Sequence, residues 1–538
     1  MTNGELNMDH MAIKKDQQRK RFRRLTLVVI GLALLLKLFP AATTDLGNDE
    51  VYYILYAMFP DWSHFDHPPM TGLFIQLSSL NLLLRHEIFI RLSAILSAAG
   101  ATWFLYLLTE KIRSPRAGFY AALLFSASGY ASIIAGLFIL PDAPQMLFWL
   151  AALYFFHDPL TGNPEERGAG KKMLLAGLFT GLGMLSKYTA TYLWAGVGLY
   201  VLLYNRPWLK KIALYLSGLL SLLLFSPVIL WNRQYHFVSF TFQGSRATFE
   251  GIRLDFFLLE IVGEFFYNNP VVVVLMVITL IHLVRGKSFC PKNTQRLLLL
   301  LSIPMILLFW GIALSRRTLP HWTGPAFFPL MILTACRFDH WKQQNHNLIP
   351  RGIRTALLSL CLFLTVSWIQ IKTGFIPLTT YHLPDPTLDL YGWDEEGRQF
   401  RAIRQRALAE GVMEAEAPIF SHRWFPAANY EYYFAHDAGI EVMGINLLPR
   451  LHKYAWINEE RGPFQRGMNG WAIHDPQDYF KPDTQYKGLF KEITCYDSIC
   501  IRRGRKIAKK KYVYLCKGMV YLPVRTIPVS SSTPQDCP

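Results

Sequence analysis

The stretch GNDEVYYILYAMFPDWSHFDHPP, from Gly47 to Pro69, follows an apolar run of membrane character and contains four acids but no Lys or Arg. Its apolar side chains recur at the spacing of one helical face, formed by Val51, Ile54, Leu55, Met58 and Phe59. A segment this short does not cross a bilayer. It predicts an amphipathic helix in the membrane interface, capped by Asn48, with its tyrosines at the headgroup level.

The composition around this stretch indicates a polytopic α-helical membrane protein. Of 538 residues, 52% are hydrophobic and only 17% are charged, whereas a typical soluble protein has about 25% charged residues. The apolar runs predict about eleven transmembrane helices. They lie at 25–39, 87–109, 118–138, 143–157, 173–188, 190–204, 212–231, 266–284, 297–314, 322–338 and 355–373.

The basic residues orient these helices in the membrane. Lys and Arg concentrate in the tail before Leu25 and in alternate loops, which the positive-inside rule assigns to the cytoplasm. The N-terminus is then cytoplasmic, and the stretch 47–69 and the C-terminus are extracytoplasmic, as in a protein of the bacterial inner membrane with a periplasmic site. The net charge of +17 is thus mainly a topology signal, and we expect no nucleic acid as a partner.

Four segments follow from these patterns. We predict a basic cytoplasmic tail over 1–24, a transmembrane catalytic domain over 25–375, a small soluble α/β domain over 376–528 and a disordered tail over 529–538. In the α/β domain, strand-like runs such as APIFSH, IEVMGI, LFKEIT and SICIRR alternate with helical ones such as AANYEYYFAHD. Its basic run from Arg502 to Lys511 is either a solvated face or a surface for anionic membrane lipids.

The seven cysteines agree with this topology. Four of them, from Cys495 to Cys537, fall in the extracytoplasmic domain, where disulfides are permitted. The sequence leaves two states open, a disulfide in this domain or seven free thiols.

Two acids in the first turn of the predicted interface helix are candidates for catalysis. A helix N-terminus stabilises anions, so Asp49 and Glu50 are expected to be ionised at neutral pH and able to accept a proton. The alternative is that both acids only stabilise the first turn of the helix.

Further acids and histidines with ligand chemistry lie at the ends of predicted helices. Asp66 and His67 precede Pro68 and Pro69, which can open a helix without losing a hydrogen-bond donor, and Asp142 lies in a tight outer turn. Adjacent side chains on an extended backbone point to opposite sides, so Asp66 is expected to share a divalent metal with Asp142 or with His321 instead of His67. Carboxylates favour Mg²⁺ or Mn²⁺, and recruitment of His321 favours Zn²⁺. In the alternative, Asp66 caps the following helix and no metal is bound.

Cations also lie in the predicted outer turns, where they suit a clamp for an anionic phosphate. They are Lys187, Arg246, Arg316 and Arg317, with His321 nearby. For any one of them, a contact with a lipid headgroup is the simpler interpretation.

These motifs, taken in order, resemble those of a known enzyme family. NDEVYYILYA…FDHPP, LPDAP…FW, GLGMLSKYTA, WNRQYHFVSFTFQ and PHWTGPAFFPLMIL are similar to the polyprenyl-phosphate-sugar-dependent glycosyltransferases of the GT-C class. This class includes protein O-mannosyltransferases, the lipid A aminoarabinose transferase and galacturonosyltransferases of the lipopolysaccharide core. The resemblance covers roughly residues 25–340, and more loosely the outer domain.

The resemblance implies roles for individual residues. It makes Asp49 the catalytic base or an acceptor-orienting residue, Asp66 a ligand of a metal near the donor phosphate, and Asp142 the acid of the second outer loop. His67 stands where the aminoarabinose transferase has a lysine, at a donor-phosphate position. The acceptor is not implied, because relatives glycosylate lipid, glycan and protein.

The residues and the resemblance together predict a membrane glycosyltransferase. It would move a hexose or pentose, with inversion, from a polyprenyl phosphate to a lipid, glycan or protein acceptor outside the membrane. No cytoplasmic loop carries a phosphate-binding Gly-rich motif, so no nucleotide cofactor is expected. The alternative is a transporter of lipid-linked sugars or polysaccharides, which would place its charges near the middle of the spans and often show two similar halves.

Overall fold

The computed structural model describes residues 3–341, 348–378, 385–523 and 527, with side chains from residue 13 onward. The first eleven α-helices, α1 to α11, are in order Asn3–Thr43, Asn48–Met58, Met70–Ser78, Glu87–Ile112, Pro115–Ala127, Asp142–Thr161, Ala169–Met184, Tyr192–Tyr204, Ile212–Gln234, Val238–Ser245 and Leu254–Tyr267. Helices α12 to α22 are Pro270–Val284, Lys292–Leu300, Ile303–Ala313, Phe327–Trp341, Arg351–Thr373, Trp393–Ala409, Trp424–Asn429, His436–Ala438, Leu448–Leu451, Tyr454–Arg461 and Pro482–Gln485.

The prediction of a polytopic helical membrane protein is confirmed, and a helix lies in each of the predicted spans. Within the described residues, five helices are long and apolar enough to cross a membrane. A sixth span arises if α11 and α12, which meet at 102°, are counted as one broken span. The total of about eleven spans therefore stays a prediction.

The break between α11 and α12 has a local cause. Asn269 has a positive φ of 68°, and its side chain accepts a hydrogen bond from the N–H of Val271, which caps α12. Pro270 then opens α12, where its missing N–H costs nothing. The chain thus changes direction at two residues without an uncapped helix end.

Contacts divide the chain into two compact units. The first unit comprises Met1–Ala41, His67–Leu230 and Ser239–Leu364, and the second comprises Ala42–Asp66, Trp231–Val238 and Thr365–Pro538. The segment before the HPP turn is therefore part of the same unit as the C-terminal residues.

Small residues let helices of the first unit approach closely. The hydroxyls of Ser217 and Ser221 on α9 donate to the carbonyls of Met173 and Gly177 on α7, each at 2.6 Å. A Cβ at Gly177 would lie 2.3 Å from the Ser217 hydroxyl. Small residues at helix contacts are the usual device of membrane bundles, where backbones must pack without a hydrophobic driving force between helices.

The second unit contains a five-stranded sheet among its described residues, which confirms the small C-terminal α/β fold. Strands β1 to β5 are Ile419–Ser421, Val442–Gly444, Gly470–His474, Phe490–Arg503 and Lys506–Met519. Their order across the sheet is β2-β1-β3-β5-β4. Strand β1 is parallel to β2 and β3, whereas β5 is antiparallel to β3 and β4.

The basic run of the C-terminal domain differs from its prediction. Much of it forms β5, where Lys511 is 2% exposed and its Nζ lies 2.5 Å from the carboxylate of Glu396. Lys509 contacts the other oxygen of Glu396 at 3.3 Å. Buried charges must be paired, and a partner more than a hundred residues away gives no local signal, so the prediction of a wholly solvated or lipid-facing run is wrong for these two lysines.

The described cysteines are free thiols. They are Cys290, Cys336, Cys361, Cys495, Cys500 and Cys516. Cys537 and the predicted disordered tail over 529–538 lie outside the described residues.

Candidate active site

The two acids at the start of α2 differ in their surroundings. The carboxylate of Glu50 is buried, with the residue 2% exposed, and accepts a hydrogen bond of 2.9 Å from the backbone N–H of Gly47, the N-cap residue. Asp49, one residue earlier, is exposed. The cap is thus Gly47 and not Asn48, and Glu50 completes the capping of α2. Asp49 is the acid of this turn that remains accessible to a substrate.

The start of α2 is fixed within the second unit by two polar contacts. The backbone N–H of Asn48 donates to both carboxylate oxygens of Asp389, at 3.2 and 3.3 Å. The amide of Asn429 donates to the side-chain oxygen of Asn48 at 2.8 Å. Burial raises the pKa of Asp389 to about 7, the Asn48 N–H opposes the rise, and the neighbouring Asp49 adds to it. Asp389 is a functional candidate that the sequence motifs did not point to.

The carboxylate of Asp66 is held by two tyrosines of α2. The hydroxyls of Tyr52 and Tyr56 both donate to its Oδ1, at 2.7 and 2.6 Å. Its Oδ2 lies 3.9 Å from Nδ1 of His452, a residue with an unusual positive φ of 50°. Burial, together with Asp66, raises the pKa of both tyrosines well above 10. The tyrosines therefore keep their protons and act as donors at neutral pH.

This contact also corrects the predicted place of the tyrosines. Tyr52 is 2% exposed and Tyr56 is 1% exposed, so neither ring is available to contact lipid headgroups. The side chains from Glu50 to Ala57 are all buried, which makes α2 a buried helix and not one with a solvated polar face. The spacing found its apolar stripe, but the polar positions beside the stripe are also internal.

In the first unit, Asp142 and Lys187 form a buried ion pair. Nζ of Lys187 lies 2.9 and 2.8 Å from the two oxygens of Asp142, and the two residues are 4% and 2% exposed, respectively. The hydroxyl of Tyr130 also donates to Asp142, at 3.0 Å. Because an ammonium group has three N–H donors, one remains for a further acceptor after both contacts with Asp142.

His321 lies close to this pair. Burial lowers its pKa to about 4, Asp142 opposes that shift, and Lys187, His67 and Arg246 add to it. The imidazole is therefore neutral at physiological pH. The structure thus brings together five candidate residues of the first unit, which are His67, Asp142, Lys187, Arg246 and His321.

The predicted cations of the outer turns differ in their partners. Arg246 lies over the ring of Trp322, 4.6 Å from its centroid. Arg316 pairs with Glu250 and donates to the hydroxyl of Thr248 at 2.7 Å, and Arg317 is exposed. Arg316 therefore braces the loop before α11, and Arg246 is the arginine found beside His321.

Two buried glutamates hold the loop that carries His321, and sequence reasoning missed both. Glu260 accepts from the hydroxyl of Thr318 at 2.7 Å. Glu264, one helical turn later on α11, accepts from the hydroxyl of Thr323 at 2.6 Å. Acids spaced i, i+4 share one helix face, and that spacing was the available signal.

The predicted metal ligands are engaged otherwise. Lys187 occupies both oxygens of Asp142, and two tyrosines occupy Oδ1 of Asp66. Across the ranges that the structure describes, no three His, Cys, Asp or Glu side chains are grouped as a metal site requires. A divalent ion held by Asp66 with Asp142 or His321 therefore stays a prediction.

Comparison with known protein structures identifies the fold. Two crystal structures of ArnT from Cupriavidus metallidurans match nearly the whole chain. The apo structure has a TM-score of 0.59 at 14% identity and covers 92% of this chain and 98% of that one. The structure bound to undecaprenyl phosphate has a TM-score of 0.60 at 15% identity and covers 91% and 97%. This chain has the GT-C fold of membrane glycosyltransferases.

A family model agrees with this GT-C fold. The model described as dolichyl-phosphate-mannose-protein mannosyltransferase matches residues 66–231, which include the HPP turn, Asp142 and Lys187. Among curated protein sequences, none matches the chain. The resemblance read from the motifs is confirmed by the family model and the fold.

Proposed function

We propose that the protein transfers one monosaccharide from a polyprenyl phosphate to an acceptor outside the cytoplasm. The observation that carries the proposal is the likeness, over more than nine-tenths of both chains, to a structure bound to undecaprenyl phosphate. The exposed carboxylate of Asp49 beside the buried, capping Glu50 adds a group suited to act on an acceptor.

The proposed reaction is a single displacement. An acceptor hydroxyl attacks the anomeric carbon, the bond from that carbon to the phosphate oxygen breaks, and the leaving polyprenyl phosphate takes the electron pair. Asp49 receives the hydroxyl proton. Attack opposite to the leaving group inverts the anomeric configuration. If the acceptor is itself a phosphate, Asp49 only orients it.

Donor-phosphate binding is proposed for the cluster of the first unit. The charges of Asp142 and Lys187 cancel, His321 is neutral, and Arg246 adds a positive charge, so the cluster attracts an anion. The remaining N–H of Lys187 and the guanidinium of Arg246 are suited to a phosphate leaving group. His67 lies in the same electrostatic neighbourhood. Arg316 is not assigned to the phosphate, because it is already paired, whereas the exposed Arg317 stays a candidate.

The proposed orientation and location of the protein follow from the distribution of its basic residues. Basic residues concentrate before Leu25, within the first part of α1, and in alternate loops, which supports a cytoplasmic N-terminus and an extracytoplasmic catalytic side by the positive-inside rule. A donor used on that side must be carried by a lipid. We therefore propose the bacterial inner membrane as the location, with the acceptor an envelope lipid, glycan or protein.

The activity is tested by comparing envelope extracts from cells with and without the gene. Mass spectra of glycolipids, polysaccharide and glycoproteins are expected to differ by one monosaccharide, and the sugar must return when the gene is restored. Purified protein with the membrane lipids of the deletion strain must then release free polyprenyl phosphate as that product forms. Identical spectra, together with no release of polyprenyl phosphate, would exclude glycosyl transfer.

Metal dependence is tested by chelation. We expect activity to persist after EDTA treatment, because Lys187 and the α2 tyrosines already engage the predicted carboxylate ligands. Asp66→Ala should still lose activity, because Tyr52 and Tyr56 would lose a shared buried acceptor. The measurement is the initial rate of transfer before and after EDTA. Loss of activity that a single divalent ion restores would establish a metal requirement and contradict this expectation.

A further inference from the structure

A cavity of about 420 Å³ opens within the second unit at the start of α2. Its wall is formed by Asn48 and by residues from the segments 385–393, 423–430, 475–479 and 509–511. We call it the Trp393 cavity. Asn48 directly precedes Asp49, and the Asp389 carboxylate that binds the Asn48 N–H is part of the wall.

The wall of the Trp393 cavity combines aromatic faces with polar groups. Tyr479 is 86% exposed and Phe425 is half-buried, so both rings are accessible at the cavity. Tyr430 is 1% exposed, and its hydroxyl has no hydrogen-bond partner among the residues described. A buried unpartnered hydroxyl costs free energy, and a ligand with polar groups of its own can remove that cost.

The charges of the cavity favour a neutral ligand. Arg423 lies 2.6 Å from Asp478, and Arg503 pairs with Asp385. Lys509 and Lys511 both contact Glu396 and lie over the ring of Trp393, at 4.1 and 3.8 Å from its centroid. Each of these cations therefore already has a carboxylate partner.

Two carboxylates of the wall lack such a cation. Asp475 accepts a hydrogen bond of 2.9 Å from the N–H of Gln477, and Asp389 accepts from the N–H of Asn48. No ion pair involves either acid within the part of the chain that the structure describes. Each acid keeps acceptor capacity for hydroxyl donors, and the unpaired charge of Asp475 disfavours a phosphate.

We propose that the Trp393 cavity binds a neutral sugar unit, with its ring faces against Tyr479 and Phe425 and its hydroxyls donating to Asp475 and Asp389. Aromatic side chains cover the apolar C–H faces of a sugar, and carboxylates accept from its hydroxyls. The assignment of this sugar to the acceptor rests on the proposed glycosyl transfer. The cavity adjoins the residue before Asp49, so a bound glycan places other hydroxyls of the same chain near that carboxylate.

Binding is tested on the full protein in phospholipid nanodiscs, because maltoside detergents carry sugars themselves. Saturation-transfer NMR with the methyl α-glycosides of glucose, galactose and mannose is expected to detect at least one of them. Tyr479→Ala should weaken binding of that glycoside by roughly 2- to 12-fold, and Asp475→Asn should weaken it as well. Tyr521→Ala is the matched control, because Tyr521 is 69% exposed and lies outside the cavity wall.

Each result decides the proposal. Absence of saturation transfer from all three glycosides, or equal signals in Tyr479→Ala and Tyr521→Ala, would overturn it. Inorganic phosphate that displaces the glycoside would show an anion site instead and would also overturn it.

A kinetic measurement separates this site from the transfer reaction. With the natural acceptor, Tyr479→Ala should raise the KM for acceptor by a similar factor and leave kcat and the KM for donor unchanged. A change in kcat alone would contradict an acceptor-binding role. If the wild-type protein transfers no sugar, the proposed function fails, while the NMR result still decides whether the cavity binds sugar.

Discussion

Asp49→Asn is expected to lower the turnover of sugar transfer by about 100- to 10,000-fold, the usual contribution of a positioned general base. The amide has nearly the same shape as the carboxylate but cannot take the acceptor proton. Asp49 is exposed, so its replacement costs little stability. The lost favourable interaction with the helix dipole is worth about 0.3–1 kcal/mol. The measurement is the initial rate with saturating donor, beside a melting curve of the same preparation.

Substitution of the adjacent acid, Glu50, provides the matched comparison for Asp49→Asn. Glu50→Gln keeps an oxygen that can accept the Gly47 N–H, and glutamine serves in capping boxes, so turnover should stay near that of the wild type. Comparable losses in both variants would mean that the charge of the whole turn matters and not proton transfer to Asp49. Wild-type turnover in Asp49→Asn, with an acceptor whose nucleophile is a hydroxyl, would remove Asp49 from the mechanism.

The helices were predictable because their signal is local. Apolar runs predict membrane helices from composition alone, and the acids at 49 and 50 indicate the start of a helix. The same local rule could not separate the two acids. Their difference depends on which carboxylate accepts the Gly47 N–H and which stays exposed, and both residue types satisfy the pattern equally.

The partners of the site residues were not predictable, because they lie far apart in the chain. Asp142 and Lys187 are 45 residues apart, and Asn48 and Asp389 are 341 apart. From the sequence, Asp142 was a metal ligand and Lys187 a phosphate contact, since each was considered without the other. Tyr52 and Tyr56 lie close to Asp66 in sequence, but their aromatic rings beside an apolar stripe indicated a membrane interface. The burial of both tyrosines is better explained by their role as hydrogen-bond donors to the buried carboxylate of Asp66.

Lys187→Met is expected to destabilise the folded protein by about 3–5 kcal/mol, the cost of removing one partner of a buried ion pair. The carboxylate of Asp142 would remain 2% exposed with the Tyr130 hydroxyl but without its cation. Adding Asp142→Asn removes the uncompensated charge, so the double variant should regain most of that stability. Thermal unfolding of the wild type, Lys187→Met, Asp142→Asn and the double variant, all in one detergent, gives the cycle.

Activity in the double variant then separates two roles of Lys187. If its third N–H binds the donor phosphate, the double variant recovers stability but not transfer, and its KM for donor rises or its turnover falls. If the pair only holds α6 against the turn after α7, transfer returns together with stability. A Lys187→Met variant as stable as the wild type would contradict the buried pair itself, since a buried carboxylate left without its cation is costly in any account of the site.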